Sequence, residues 1–436
     1  MVNAMLGRIL FVACAIARVA DAAEPAIPND AARAVFAEAA ALCAADDGKL
    51  WGVTLCGPIM LVDPATHAFA ANLNDSRGTF TEAGGVFIGT LPKDQNVANT
   101  AFEWGGVRWT QLQWPLPDDP AVRATLLMHE CFHRVQPKLP LPAPREADNA
   151  HLDTLDGRYL LQLEWRALAQ ALEAQGERAA RAAAEDALRF RDERRQLYPG
   201  SGDSETALEL NEGLAQYTGV MLGNATPEAR TAAAVRDLVQ HVEDPSFVRS
   251  FAYANGPAYG LLLDRFAPGW QRRIAPGSEL GVLLITALKI GGVADSPSQL
   301  GKRAARYGGD ALLKAEIARD ARRRETAKRN RARFVDGPVL VLTFQHMNIQ
   351  FDPRSLEPLE GAGTVYPTMR VTDDWGVLEV KEGALLKQDW SAVIVPAPAG
   401  PPDGKIAGAG FVLTLNAGWR LVPGTRTGDW TLVRGP

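Results

Sequence analysis

Several things are missing or scarce in this chain, and each absence narrows what it can be. No stretch after the first twenty residues runs to bilayer length without charges, so a bundle of transmembrane helices is excluded. Charge of one sign is not in excess. Lys and Arg number 46 against 51 Asp and Glu, a formal net charge of −5, which leaves no overall electrostatic footprint for nucleic acid. No repeat of fixed period and no low-complexity tract stands out, which argues against a fibre, a coiled-coil rod or a disordered chain. Histidine is rare, six among 436 residues, so the spacing of those six carries information. Cysteine is rarer, with four. What remains is a globular composition, 47% apolar, on a length that suits about two or three domains.

The first residues run from Met1 to Arg8, through the apolar segment Ile9–Ile16, to Ala20-Asp21-Ala22. A basic start, a short apolar core and a small-x-small site are the layout of a signal peptide over residues 1–22, so an exported protein, periplasmic or secreted, is expected. Cys14 would leave with the leader. Cys43 and Cys56 are close enough in sequence to bridge in an oxidising compartment, or they are two separately buried thiols.

Beyond the leader the texture changes twice. Residues 23–120 open with a helix-patterned stretch to Asp47 and then read as short strands with turns, among them Val107–Trp114 before Pro115. Residues 121–335 are mostly helix-patterned. The expected elements are a helix from Ala121 capped by Asp118-Asp119-Pro120, a long one over Leu155–Arg195, one over Thr206–Leu222, and further helices at Pro227–Val242, Ala258–Phe266, Leu280–Ile290, Pro297–Tyr307 and Asp310–Phe334. The last carries a run of Arg and Lys from Arg322 to Arg333 that reads as a solvated face. Residues 337–436 turn β-rich again, with Val339–Phe344, Val377–Val380, Ala392–Val395, Gly410–Leu415 and Thr431–Val433 as strands of a small all-β domain. The fold class expected is α+β.

Inside the helix from Ala121 stands His129-Glu130-Cys131-Phe132-His133. Two histidines four apart share one helix face, where both imidazoles reach a single ion, and Glu130 can act as general base on a water there. Cys131 falls on the opposite side, where packing is its expected role. A catalytic zinc normally takes three protein ligands and leaves a position for water. The leading candidate for the third is Glu212, in Asn211-Glu212-Gly213-Leu214-Ala215, where the small residues Gly213 and Ala215 would let this helix approach the histidine helix. Glu209, Asp153 and His151 are the competing ligands.

HExxH followed by a downstream helical Asn-Glu-Gly-x-Ala segment resembles the gluzincin zinc peptidases, the superfamily that includes thermolysin and aminopeptidase N. The resemblance implies a thermolysin-like catalytic region with His129, His133 and Glu212 on one zinc ion and Glu130 as base. It also implies a tyrosine donating to the oxyanion. Tyr253, in Tyr253-Ala254-Asn255-Gly256, matches that Y-x-x-G segment, and Tyr259 competes with it. In thermolysin-like peptidases an edge strand before the active-site helix pairs with extended substrate, which would place Arg108-Trp109-Thr110-Gln111 along a cleft. Two departures stand out: 79 residues separate His133 from Glu212, and the Gly-Ala-Met-Glu-Asn segment that anchors a substrate amino terminus is absent. The expected function is an exported zinc metallopeptidase acting on a peptide or protein substrate. Its competitors are a zinc amidase on a non-peptide or cell-wall substrate, and a non-catalytic gluzincin-like binding module.

Overall fold

The structure is a computed structural model of the chain and describes residues 26–92, 95–145, 148–291, 295–351, 356–398 and 405–435. The expected leader lies outside the described residues. The fold is mixed α+β with an all-β C-terminal region, and the chain divides into two compact units after Gln136. The sequence changes texture at residue 120, but the helix that follows belongs with the strands before it. Among the described residues no helix is long and apolar enough to cross a membrane.

The first unit is built from α1 (Asn29–Asp46), β1 (Ile59–Val62), β2 (Ala68–Ala71), β3 (Thr81–Ala83), β4 (Val86–Thr90), β5 (Thr100–Trp104), β6 (Val107–Gln113) and α2 (Pro120–Val135). The strands form one sheet in the order β3-β4-β2-β1-β6-β5, antiparallel throughout except for β1 beside β6. Alternate residues Met60, Val62, Phe69, Ala71 and Trp109 bury one face, with Leu91 over them. α2 packs against β5 and β6, and α1 packs on α2. Cys43, at the end of α1, is disulfide-bonded to Cys56, just before β1, with the Cα atoms 5.3 Å apart, which decides between bridge and separate thiols. The edge-strand expectation is corrected. Val107–Gln113 is a strand, but an inner one between β1 and β5, with Trp109, Thr110 and Gln111 buried; the edge belongs to β5.

The second unit begins with helices: α3 (Leu155–Glu173), α4 (Glu177–Leu197), α5 (Ser201–Leu208), α6 (Leu214–Gly223), α7 (Pro227–Gln240), α8 (Ser250–Phe266), α9 (Leu280–Leu288), α10 (Pro297–Arg306) and α11 (Gly309–Arg331). The single helix expected over 155–195 is a hairpin of two, because the backbone is extended at both Ala174 and Gly176. The helix expected over 206–222 is interrupted by a π turn, Glu209–Gly213. α8 starts eight residues before its expected beginning and carries Pro257 inside it. On α11 the buried Asp320 accepts from Arg323 at 3.3 Å and Arg324 at 2.6 Å, while Arg322 and Arg329 face solvent.

Twelve strands follow: β7 (Val339–Thr343), β8 (Asn348–Phe351), β9 (Glu357–Leu359), β10 (Gly363–Tyr366), β11 (Met369–Asp373), β12 (Gly376–Val380), β13 (Ala384–Lys387), β14 (Ala392–Pro396), β15 (Lys405–Gly408), β16 (Phe411–Leu415), β17 (Trp419–Pro423) and β18 (Trp430–Arg434). They form a seven-stranded sheet, β17-β18-β7-β14-β13-β10-β9, and a five-stranded one, β15-β16-β12-β11-β8. Leu340, Leu342, Leu386, Val393 and Val395 of the first meet Val371, Leu378, Ile406 and Leu413 of the second in a single core, with Trp375 buried among them. Residues of opposite parity on the larger sheet, Val339, Val365, Leu385 and Ile394, pack on Phe334, which follows α11 and ties the helices to the β region.

Candidate metal centre

α2 carries the histidines because its start and its buried face are both specified. Asp119 caps it by accepting from the backbone N–H groups of Ala121 and Val122 through one carboxylate oxygen, with Pro120 in the first turn. Leu127, Met128, Cys131, Phe132 and Val135 are buried in the unit's interior. The far end is tied down by Arg134, whose guanidinium donates to the carbonyls of Leu55 at 2.7 Å and Cys56 at 3.0 Å. Gly57 leaves room for that guanidinium: a Cβ there would lie 2.4 Å from its central carbon.

On this helix His129 and Glu130 are each 4% exposed and His133 is half-buried. The two Nε2 atoms lie 3.1 Å apart, and ligand atoms of His129, Glu130 and His133 all fall within 4.8 Å of one another. Two nitrogens bonded to one tetrahedral ion at about 2.0–2.1 Å stand roughly 3.3 Å from each other. The observed separation is compatible with a shared ion, and equally with a hydrogen bond between the two rings. His133 Nδ1 lies 3.0 Å from Gln136 Oε1, an acceptor. With Oε1 accepting, the proton sits on Nδ1 and Nε2 keeps a lone pair that could ligate an ion. Gln136 went unnoticed in the sequence, although its position three residues past His133 is the signal. Cys131 packs against β6 with its sulfur 3.9 Å from Thr110 Oγ1, and burial pushes its thiol up to about 11. It is a neutral packing residue, as expected.

Glu212 and Tyr253 are in the second unit. Glu212 sits in the π turn, nearly buried, and Tyr253 of α8 donates its hydroxyl to Glu212 Oε2 at 2.7 Å. Arg249, with a side chain 71% exposed, lies 3.5 Å from Oε1. The two elements meet through glycines: a Cβ on Gly256 would lie 2.0 Å from the carbonyl oxygen of Gly213. Gly213 does permit a close helix approach, but the partner it admits is α8, where the sequence reading had the histidine helix.

The competing candidates have other partners. Glu209 receives both terminal nitrogens of Arg191, one of them at 2.7 Å, and Asn255 Nδ2 at 2.8 Å. His151 Nε2 is 2.9 Å from Glu205 Oε1. Asp153 accepts from Ser246 Oγ at 2.6 Å and the Phe247 N–H at 2.8 Å. Tyr259 is fully buried and donates to Glu164 Oε1 at 2.7 Å. The contacts of Glu209, His151 and Tyr259 belong to an interior ion network in which Glu164, Glu205 and Glu209 face Arg191 and Arg194, while Asp153 pairs separately with Arg158 at 3.6 Å. Burial alone would push the carboxyls of Glu205 and Glu209 up. The charges and hydrogen bonds of Arg194 on Glu205, with His151 adding to them, and of Arg191 on Glu209 outweigh burial and hold both below the ordinary carboxylate range.

Comparison with protein-family models, with curated proteins and with solved structures finds no match for this chain. The functional reading therefore rests on the chemistry of these residues.

Proposed function

We propose that the protein is an exported zinc-dependent metallopeptidase of gluzincin type with a thermolysin-like catalytic arrangement. His129 and His133 would hold the metal with Glu130 as the general base; Glu212 as third ligand and Tyr253 as oxyanion donor are what the gluzincin resemblance implies. The observation that carries the reading is the convergence of the two Nε2 atoms, 3.1 Å apart beside Glu130, with Gln136 holding the tautomer that frees one of them. Zinc, when bound, supplies a Lewis acid for the scissile carbonyl and lowers the pKa of water. Glu130 takes the proton from the attacking water and returns it to the leaving amine, so one carboxylate serves as base and then as acid. Tyr253 Oη donates its one proton to Glu212 Oε2 at 2.7 Å, so serving an oxyanion would require it to exchange that bond for one to the substrate oxygen. β5 at the sheet edge, packed against α2, offers an extended substrate a strand to pair with. The Cys43–Cys56 bridge favours an oxidising compartment, in keeping with export.

The test is hydrolysis of a peptide library by the purified protein. Cleavage should be abolished by 1,10-phenanthroline and restored by added zinc, and Glu130→Gln should lose on the order of 10²–10⁴-fold in rate. Cleavage indifferent to chelation, or an unimpaired Glu130→Gln variant, contradicts the proposal. Turnover of small amides without any peptide cleavage would favour the amidase instead.

A further inference from the structure

A second place in the molecule has the features of a binding site, and it lies in the β region. The turn between β13 and β14 holds Trp390 in the left-handed region, φ 56°, and the residue is 48% exposed. A non-glycine residue with a large side chain is strained there, and glycine or asparagine would be the unstrained choice. The turn does not depend on the indole for its shape. The Trp390 N–H donates to the Lys387 carbonyl at 3.0 Å, and Asp389 Oδ1 accepts from the Ser391 N–H at 3.0 Å and hydroxyl at 2.7 Å. Folding thus gives no reason for a large aromatic at this position, and an external contact would.

Trp390 borders a groove of about 300 Å³ whose floor includes Tyr366 and whose rim carries Thr364, Glu360, Lys387 and Gln388. None of these four rim side chains makes a hydrogen bond within the described residues, so their donors and acceptors point to solvent. The charges of Glu360 and Lys387 offset each other, which disfavours a phosphorylated or strongly ionic ligand. An exposed aromatic face beside mixed donors and acceptors matches a molecule with one C–H face and a ring of hydroxyls, and the volume holds about one or two such rings.

We propose that this groove binds the pyranose rings of a glycan, with Trp390 as the stacking platform and Glu360, Lys387 and Gln388 hydrogen-bonding the hydroxyls. The β region would then hold the protein on a carbohydrate surface. The proposal does not depend on the metal centre.

The test uses the full chain on a glycan array, followed by fluorescence titration with cellohexaose and chitohexaose as soluble probes. Binding to at least one hexose-based glycan is expected. Trp390→Ala should weaken it at least about tenfold without changing the melting temperature, as truncating a central aromatic contact does. Trp390→Phe should retain most of it, and hydrolysis of an unglycosylated peptide should be the same in both variants. No binding to any glycan on the array, or equal binding by Trp390→Ala, overturns the proposal. A loss of peptide hydrolysis in Trp390→Ala also overturns it, because the groove would then serve the metal site.

Discussion

On α2 the two histidines are placed by a regular helix. Their spacing of four sets the geometry, and the outer partner, Gln136, is one turn further along the same chain. Glu212 is placed by a departure from regular helix. The π turn over Glu209–Gly213 alters the angular step, so Glu209 and Glu212, three apart, serve different neighbourhoods. Glu209 anchors inward on Arg191 and Asn255, while Glu212 meets Tyr253 across the Gly213–Gly256 contact. One region thus relies on local periodicity and the other on long-range buried charge. The contrast predicts different failures: damage to the first should be local and chemical, and damage to the second should be global.

The largest effect is expected from Arg191→Met, which leaves Glu209 buried without its cation and Glu164 with Arg194 alone. The loss should be about 3–5 kcal/mol in a urea titration of the second unit. A loss under about 1 kcal/mol would show that the network is not what holds the π turn.

The disulfide sets the scale for the first unit. Cys43→Ser with Cys56→Ser should cost about 3 kcal/mol for a closed loop of this length. If reduction leaves the unfolding midpoint of that unit unchanged, the bridge contributes nothing to it.

Smaller and local is Gln136→Ala, which should weaken zinc binding about 10–100-fold with the helix content intact. Equal zinc affinity in the variant would remove Gln136 from the metal centre.

Acid separates the two regions further. The carboxyls of Glu205 and Glu209 lie below their ordinary value of 4.5, so what they contribute is present above that pH and is lost as pH falls through their folded values. Thermal stability of the second unit should hold to about pH 5 and decline below, with a shallower acid slope in Glu205→Gln. An identical slope would place the acid sensitivity elsewhere.

The same contrast explains what could be read from the sequence. The HExxH helix was legible with its cap, because Asp119-Pro120 and the four-residue histidine spacing are local signals. The all-β C-terminal region was legible as a class, and its apolar strands β7, β12, β14, β16 and β18 were found where expected. Strands such as Asn348–Phe351 and Glu357–Leu359 were not, since they are short, polar and specified by pairing with distant partners. The break between α3 and α4 was hidden by Ala/Arg/Glu composition on both sides, with Gly176 its only mark. The ion network was invisible because nothing in linear sequence sets Glu164 beside Arg194, or Tyr259 beside Glu164. The strand Val107–Gln113 was found, but its inner place in the sheet depends on β1 pairing in parallel, which no local pattern reveals.

The proposed function turns on one zinc ion held by His129 and His133 of α2 with Glu130 beside it. X-ray diffraction from crystals of the zinc-loaded protein, collected on both sides of the zinc absorption edge, tests it most directly. One anomalous peak is expected at about 2.0–2.1 Å from both His129 Nε2 and His133 Nε2, with Glu130 outside bonding distance. No peak at the histidine pair, or zinc bonded only elsewhere, contradicts it.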